Sequence, residues 1–273
     1  MTFLNRLVSY GCTKSEALRR KILTPPFPKI IPVNNLDTLG SEWGQKTYIS
    51  SPDLNGSSLL SGGVGEDISF DLEFAAKYGA TVILVDPVPR ASRHFEGVLQ
   101  SLGNARQKPY STYGPQQDYD SYDLTKISAA QLKFVPLALF DSEGELEIYP
   151  PVNPAHVNYS ALDIQDKMSR RRAPLVVKKT TIPKLVTELG ITNLRIVKLD
   201  IEGSQLETLA QMFIEKLFPQ QILVEVDELY FPTWRGRSRA IKCFRLLKRH
   251  GYICVSRHQY DFTYVLKSKI TGV

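Results

Sequence analysis

Two rhythms alternate along this chain. Short unbroken apolar runs, each closed by glycine or an acid, alternate with stretches whose apolar residues recur at the 3.6-residue spacing of a helix. The clearest unit spans Leu59 to Asp86. Its first apolar run ends at Ser61 and breaks into Gly62, Gly63 and Gly65. Ile68, Leu72, Ala75 and Ala76 then share one helix face, and a second buried strand, Val82 to Val85, ends in Asp86. The pattern reads as strand, glycine turn, helix, strand.

The flanking segments extend the same alternation. Thr13-Lys-Ser-Glu16 has the form of a capping box that opens a short helix through about Lys21. Thr24-Pro-Pro-Phe-Pro28 ends it. Residues 1–51 form an N-terminal extension on this reading, and residues 52–273 one α/β domain. Trp43 and Tyr48 serve as packing residues of that extension unless it lines a ligand cleft. After Asp86, Pro87 to Arg90 bends into a helix from Ala91 to Gly103, and Gln107 to Asp123 is irregular. Lys133 to Phe140 is a buried strand; Asp141 to Gly144 turns it into Glu145 to Tyr149 as a hairpin. Pro150 to Arg172 is a proline-punctuated loop containing His156, of a length usual for lids and binding loops. Ile182 to Leu189 is a helix ended by Gly190. A strand from Leu194 runs into Asp200, Glu202 and Gly203, then into a helix marked by Leu206, Leu209 and Phe213. Gln221 to Asp227 is another buried strand, followed by a basic helix with Ile241, Phe244 and Leu247 on its core side. Tyr252 to Arg257 and Phe262 to Leu266 pair antiparallel to close the sheet.

Candidate chemistry sits where the strands end. Asp86 follows the glycine turn by about 20 residues, the spacing at which an acid meets a ribose diol in a nucleoside-binding βαβ unit. A dinucleotide fingerprint needs a third glycine where Ile68 stands, and it lays a pyrophosphate on the helix N-terminus. Glu66 and Asp67 at that terminus oppose a pyrophosphate and suit a ligand with a positive centre. S-adenosylmethionine has a ribose, no phosphate and a sulfonium, and it fits. A plain tight turn with ordinary first-turn acids gives the same pattern. Asp200 and Glu202 put carboxylates at the carboxyl edge of the sheet, where ligands bind in open α/β folds; helix capping is the other reading of Asp200 and, equally with function, of Glu202. Glu225, Asp227 and Glu228 end the next strand.

Composition narrows the class. Hydrophobic residues make up 42% and charged residues 23% of the 273, as in a globular protein, and no apolar run is long enough to span a bilayer. Met1 to Tyr10 has one basic residue and no long apolar core, so it does not read as a signal peptide. Cys12, Cys243 and Cys254 lack metal spacing and are odd in number, which points to a reducing cytoplasm. The net charge of +6 concentrates at Arg170 to Arg172 with Lys178 and Lys179, and along the helix from Arg235 to Arg249. The second cluster reads as the solvated face of an amphipathic helix. Its functional reading is attraction of an anionic partner, which mildly favours an acidic or phosphorylated acceptor. Nucleic acid is disfavoured, because no aromatic-interleaved recognition signature accompanies the charge.

The combination Gly-Val-Gly-Glu-Asp-Ile-Ser-Phe70, Val-Asp-Pro-Val-Pro89, Leu-Ala-Leu-Phe-Asp-Ser-Glu-Gly144 and, above all, Val-Lys-Leu-Asp-Ile-Glu-Gly-Ser-Gln-Leu-Glu207 resembles the FkbM-type S-adenosylmethionine-dependent methyltransferases over roughly Leu39 to Leu266. The resemblance implies a Rossmann-like class I methyltransferase fold, with a seven-stranded sheet of order 3-2-1-4-5-7-6 and an antiparallel last strand. It also implies O-methylation of a saccharide or other small hydroxylated acceptor. Ser61, Gly62, Gly63 and Gly65 would then cradle the methionine part of the cofactor, Asp86 the ribose hydroxyls and Asp141 the adenine end. Many class I enzymes carry an acid just before the glycine turn; Ser61 stands there, so amino-group recognition falls to Glu66 or Asp200.

Methyl transfer from a sulfonium needs little covalent help beyond alignment, exclusion of water and a base for the acceptor hydroxyl. The candidate bases are Asp200 and His156, with Glu202 behind them. A divalent cation held by Asp200, Glu225 and Asp227 is an alternative that no tight ligand spacing compels. Two other readings use the same features. One is a non-catalytic module of this fold that holds an anionic glycan or nucleic acid on its basic helix. The other is a nicotinamide-dependent oxidoreductase, which the missing third glycine opposes.

Overall fold

The computed structural model describes residues 17–114, 116–151, 159–161, 173–230 and 232–269. The capping box at Thr13 to Glu16, Cys12, His156 and Arg170 to Arg172 lie outside the described residues. Residues 17–23 are helical, two residues past the expected end, and stop before Pro25.

The chain then forms a hairpin that the hydrophobic pattern did not indicate. Strand β1 (Leu36–Leu39) pairs antiparallel with β2 (Lys46–Ile49). The first strand of the main sheet, β3 (Ser58–Gly62), leads through the glycine turn into α1 (Ser69–Tyr78) and then β4 (Thr81–Val85). Helix α2 (Pro89–Gln100) starts earlier than expected, because Pro89 takes a first-turn position that needs no N–H donor.

The strand expected over Lys133 to Phe140 is two strands. β5 (Leu132–Val135) lies in the main sheet, and after Pro136, which has no donor for a ladder, β6 (Ala138–Leu139) joins a different one. Nor is Glu145 to Tyr149 its hairpin partner. β7 (Gly144–Ile148) pairs antiparallel with β8 (Leu175–Thr180), and β6 pairs parallel with β8 on the other side. The rest follows the expected alternation: α3 (Ile182–Glu188), β9 (Leu194–Leu199), α4 (Gln205–Ile214), β10 (Gln221–Glu225), α5 (Trp234–Arg249), β11 (Tyr252–His258) and β12 (Asp261–Leu266).

The seven main strands are ordered β11-β12-β10-β9-β3-β4-β5. Numbered by sequence within this sheet and read from β5, that is 3-2-1-4-5-7-6, the expected order. β12 runs antiparallel to both neighbours, and the β10-β9-β3-β4-β5 pairs are parallel. Alternate side chains on the strands face opposite layers. Leu59, Val82, Leu84, Ile196 and Leu223 pack under α1 and α2; Leu60, Ile83, Val197, Leu199, Ile222 and Val224 pack under α3, α4 and α5. Both faces are covered, which is why these strands read as unbroken apolar runs. The basic helix α5 buries Ala240, Cys243, Phe244 and Leu247 and leaves Arg235, Lys242, Arg245, Lys248 and Arg249 exposed. Arg237 and Arg239 are used internally: Arg237 donates to the Ile22 and Thr24 carbonyls, and Arg239 turns towards Glu207 and Glu228. Among the described residues no helix is long and apolar enough to cross a membrane.

The hairpin is fastened to the sheet. Tyr48 is fully buried against Phe70, Phe74 and Tyr78, and its hydroxyl bonds Asp37 and Tyr78. Gln221 exchanges both of its amide bonds with the Ile49 backbone, at 2.7 and 2.8 Å, and Thr263 donates to the Thr47 carbonyl. Trimming Tyr48 to alanine should therefore lower global stability by about 3–5 kcal/mol, the cost of an unfilled aromatic site, read as a shift in the urea midpoint. The turn is equally constrained. A Cβ on Gly63, at φ +72°, would sit 1.6 Å from the Asp200 carbonyl oxygen. Gly63→Ala should cost about 3 kcal/mol or more from the combined left-handed strain and overpacking, measured the same way.

Candidate functional site

The main-sheet order changes direction around β3, which lies between β4 and β9, and the crevice beyond the carboxyl ends of these strands is where such folds take ligands. A cavity opens there. Its floor is the glycine turn from Gly63 to Asp67 and the ends of β4 and β9. Ala138, Leu139, Leu146 and Ile148 of the three-stranded sheet β6-β8-β7 add an apolar lining. Trp43, Gly44 and Lys46 of the hairpin, with Tyr159 and Ala161, complete it.

Asp86 shapes the turn. One oxygen, Oδ2, accepts the N–H groups of Val64 (3.0 Å) and Gly65 (2.9 Å), and Oδ1 accepts that of Val88 (2.8 Å). Burial pushes this carboxyl above its ordinary range, and the three N–H groups and the Lys198 charge restrain the rise. A carboxylate offers about four acceptor positions, so the turn leaves Asp86 about one to offer a ligand. The next amides are also taken: Ser69 N–H donates to Asp67 Oδ1 (3.0 Å) and Ile68 N–H to the Tyr122 hydroxyl (3.4 Å). A pyrophosphate would need such N–H groups free.

The two acids at this terminus are engaged as well. Glu66 forms a two-pronged pair with Arg90, at 3.2 and 2.6 Å, and Asp67 receives the Ser41 hydroxyl at 2.5 Å. Glu66 still lines the cavity. Beneath the turn, Lys198 donates to Ser61 Oγ (3.1 Å) and lies 3.8 Å from Asp71, which is fully buried. Burial raises the Asp71 carboxyl, and Lys198 opposes that rise.

Acids crowd the ends of β9 and β10. Glu202 adopts φ +51° and Gly203 φ +96°, so the chain turns sharply after Asp200. Gly203 N–H donates to Asp227 Oδ2 (2.9 Å), Ser160 Oγ to the Glu202 carbonyl (2.8 Å), and Arg239 to the Gly203 carbonyl (2.7 Å). Glu228 is held by Arg239 (3.0 Å) and Gln205 (2.7 Å), away from the cavity lining. Asp200, Glu202 and Asp227 bring their carboxylates within 4.8 Å of one another, close enough to share a hard cation. Glu225 adjoins that trio through its hydrogen bond to Asp200. It also lies 3.9 Å from Lys46, whose ammonium donates to Asp261 (2.5 Å) and Asp200 (3.2 Å).

The charges divide unevenly. Burial would raise the Asp200 carboxyl, but the Lys46 ammonium and a hydrogen bond from Glu225 hold it at about 2. Burial and the neighbouring Asp200 push Glu225 well above the carboxylate range, so it carries the proton of that pair. Burial together with Glu202 raises Asp227 similarly. Burial alone would favour neutral Lys46; Asp200 and Asp261 more than reverse this and keep it charged.

Of the residues singled out in the sequence, Gly63, Gly65, Glu66, Asp86, Asp200 and Glu202 therefore line one cavity. Ser61 and Gly62 end β3 without lining it. Asp141 does not reach it: β6 has left the main sheet, and the turn that follows carries Asp141 to an exposed position beside Lys179. His156 lies outside the described residues. Two cavity residues, Lys46 and Lys198, carry charges that the sequence reading did not assign. Lys198 stood inside the quoted Lys-Leu-Asp-Ile-Glu-Gly motif, buried in an otherwise apolar strand, which is itself a signal for a partnered charge. Lys46 gave no such signal, because only the folded hairpin brings it to the acids.

The model of the methyltransferase FkbM domain matches residues 63–254, from the first cavity-lining glycine of the turn into β11. No curated protein and no solved structure matches the chain. With the turn, strands β4 to β10 and the acids from Asp86 to Glu228 inside a match that covers more than half of its residues, the chain belongs to the FkbM methyltransferase family.

Proposed function

We propose that this protein is an S-adenosylmethionine-dependent O-methyltransferase, with a Rossmann-like class I methyltransferase fold, acting on a hydroxyl of a saccharide or other small hydroxylated acceptor. The observation that carries the reading is a single cavity in which a turn too tight for any Cβ, pinned by Asp86, faces an ionised Asp200. The donor set suits this cofactor. Asp86 has about one acceptor position to give a ribose hydroxyl, the turn amides are closed to phosphate, and the acids favour a cationic ligand. When bound, the cofactor supplies a methyl group already activated by its sulfonium.

The chain's own residues then orient and exclude. Leu139, Leu146 and Ile148 keep water from the reacting centre, and holding two reactants in line is worth roughly 7–11 kcal/mol of barrier. Asp200 stays ionised far below neutral pH, which makes it a weak base and a good anchor for positive charge. Glu202, on the same cavity wall, and His156 are left to take the acceptor's proton. The acids that line the cavity suit a neutral acceptor hydroxyl better than an anionic one.

Calorimetric titration tests the cofactor. S-adenosylmethionine and S-adenosylhomocysteine should bind with micromolar affinity and NADH should not; silence from both adenosyl ligands would remove the reading. Asp86→Asn should weaken the adenosyl ligands about tenfold or more, since a charged acceptor contributes roughly 1.5–3 kcal/mol per bond; undiminished affinity would remove Asp86 from the ribose. With labelled methyl donor and a panel of sugars and polyols, Glu202→Gln should cut transfer by about 100-fold or more while cofactor affinity holds, the usual share of a general base. Unchanged transfer would move the base to His156.

A further inference from the structure

The hairpin that carries Lys46 lies outside the residues matched by the family model, yet it delivers a buried cation to the carboxyl ends of β9 and β10 and the start of β12. We infer that Lys46 is a positioning residue for the amino-acid end of the cofactor: through its ion pair it fixes the Asp200 carboxylate at the cavity, and Asp200 receives the ligand's ammonium group. This rests on the cofactor reading above.

Three observations support it. First, Lys46 is spoken for. Its ammonium is directed at Asp261, Asp200 and Glu225, so it acts on the ligand through Asp200. Secondly, its placement is asymmetric. It stands 3.2 Å from Asp200 and 3.9 Å from Glu225, so of two adjoining carboxyl groups it holds Asp200 the more closely. Asp200 is also the one of the two that lines the cavity, and its side chain keeps 27% of its surface open. Thirdly, docking of the hairpin does not need the charge. Tyr48, the Gln221 amide pair and the Thr263 bond to Thr47 already hold β2 in place. A buried ion pair is also a poor source of stability compared with apolar packing. What the lysine adds is a fixed anion at the strand end.

The test compares S-adenosylhomocysteine, which has the amino-acid end, with 5′-methylthioadenosine, which lacks it, by calorimetry on the full chain. Lys46→Met, of similar length and uncharged, should weaken the homocysteine ligand about tenfold or more, the loss of a charged hydrogen bond, and leave the thioadenosine within about threefold. Asp200→Asn should reproduce that selective loss. The double variant, in which both charges of the pair are gone, should lose no more than Asp200→Asn alone, because the two residues act as one unit. If Lys46→Met does not accumulate as folded protein, the comparison of Asp200→Asn with the double variant decides. A further tenfold loss there would show independent roles and overturn the inference. Equal weakening of both ligands by Lys46→Met would also overturn it while leaving the cofactor reading in place; a wild-type protein that binds neither ligand would end both.

Discussion

Carboxylates gathered at one edge of a parallel sheet, out of bulk water, repel one another and lose hydration together; each needs a proton, a ring of N–H groups or a cation beside it. That requirement governs the whole upper surface of this protein. Asp86 takes N–H groups, and in doing so sets the shape of the glycine turn. Burial and the neighbouring acids push Glu225 and Asp227 towards the protonated form. Asp200, Asp71 and Glu228 take cations, supplied by Lys46, Lys198 and Arg239 from a hairpin, a central strand and a helix respectively. The compensating groups come from separate parts of the chain, so the site is a product of the tertiary fold and not of any one motif.

The cavity wall obeys a different rule. Pro136 cannot donate to a ladder, so the chain leaves the main sheet after β5 and builds a small sheet that lends Ala138, Leu139, Leu146 and Ile148 to the cavity lining. The cavity is lined by charged groups and by hydrocarbon, a mixture that lets a ligand's cationic end be held by charge while its reacting atoms sit against apolar side chains.

How much of this the sequence disclosed follows from how each element is buried. The five parallel strands and their helices were legible because burial on both faces writes itself as an unbroken apolar run, and the turn because only glycine fits it. Strand β8, Leu-Val-Val-Lys-Lys-Thr180, was missed because it is covered only in part, with Val176 and Lys178 exposed, and mixes lysines with valines. The hairpin at Leu36–Leu39 and Lys46–Ile49 was missed because β1 alternates exposed and half-buried positions and β2 buries a lysine where an apolar residue would be expected, so the four-residue strands resemble a polar loop. For the same reason the strand ends with acids could be named as a group, whereas the cation that organises them could not. The expectation for Asp141 followed from reading one strand where Pro136 makes two.

The Lys46 to Asp261 pair joins residues 215 positions apart, and the Ile49 to Gln221 pair joins residues 172 apart. Strand β12, the last of the main sheet in sequence, slots between β10 and β11 instead of adding at an edge. Loop closure over such distances has to precede the contacts that reward it, and topologies rich in them fold slowly. During synthesis the hairpin with Lys46 and the glycine turn emerge first, the acids of β9 and β10 follow, and Asp261 at the start of β12 comes last. The ion cluster at the ligand cleft is therefore complete only when the C-terminal strand has threaded into the sheet.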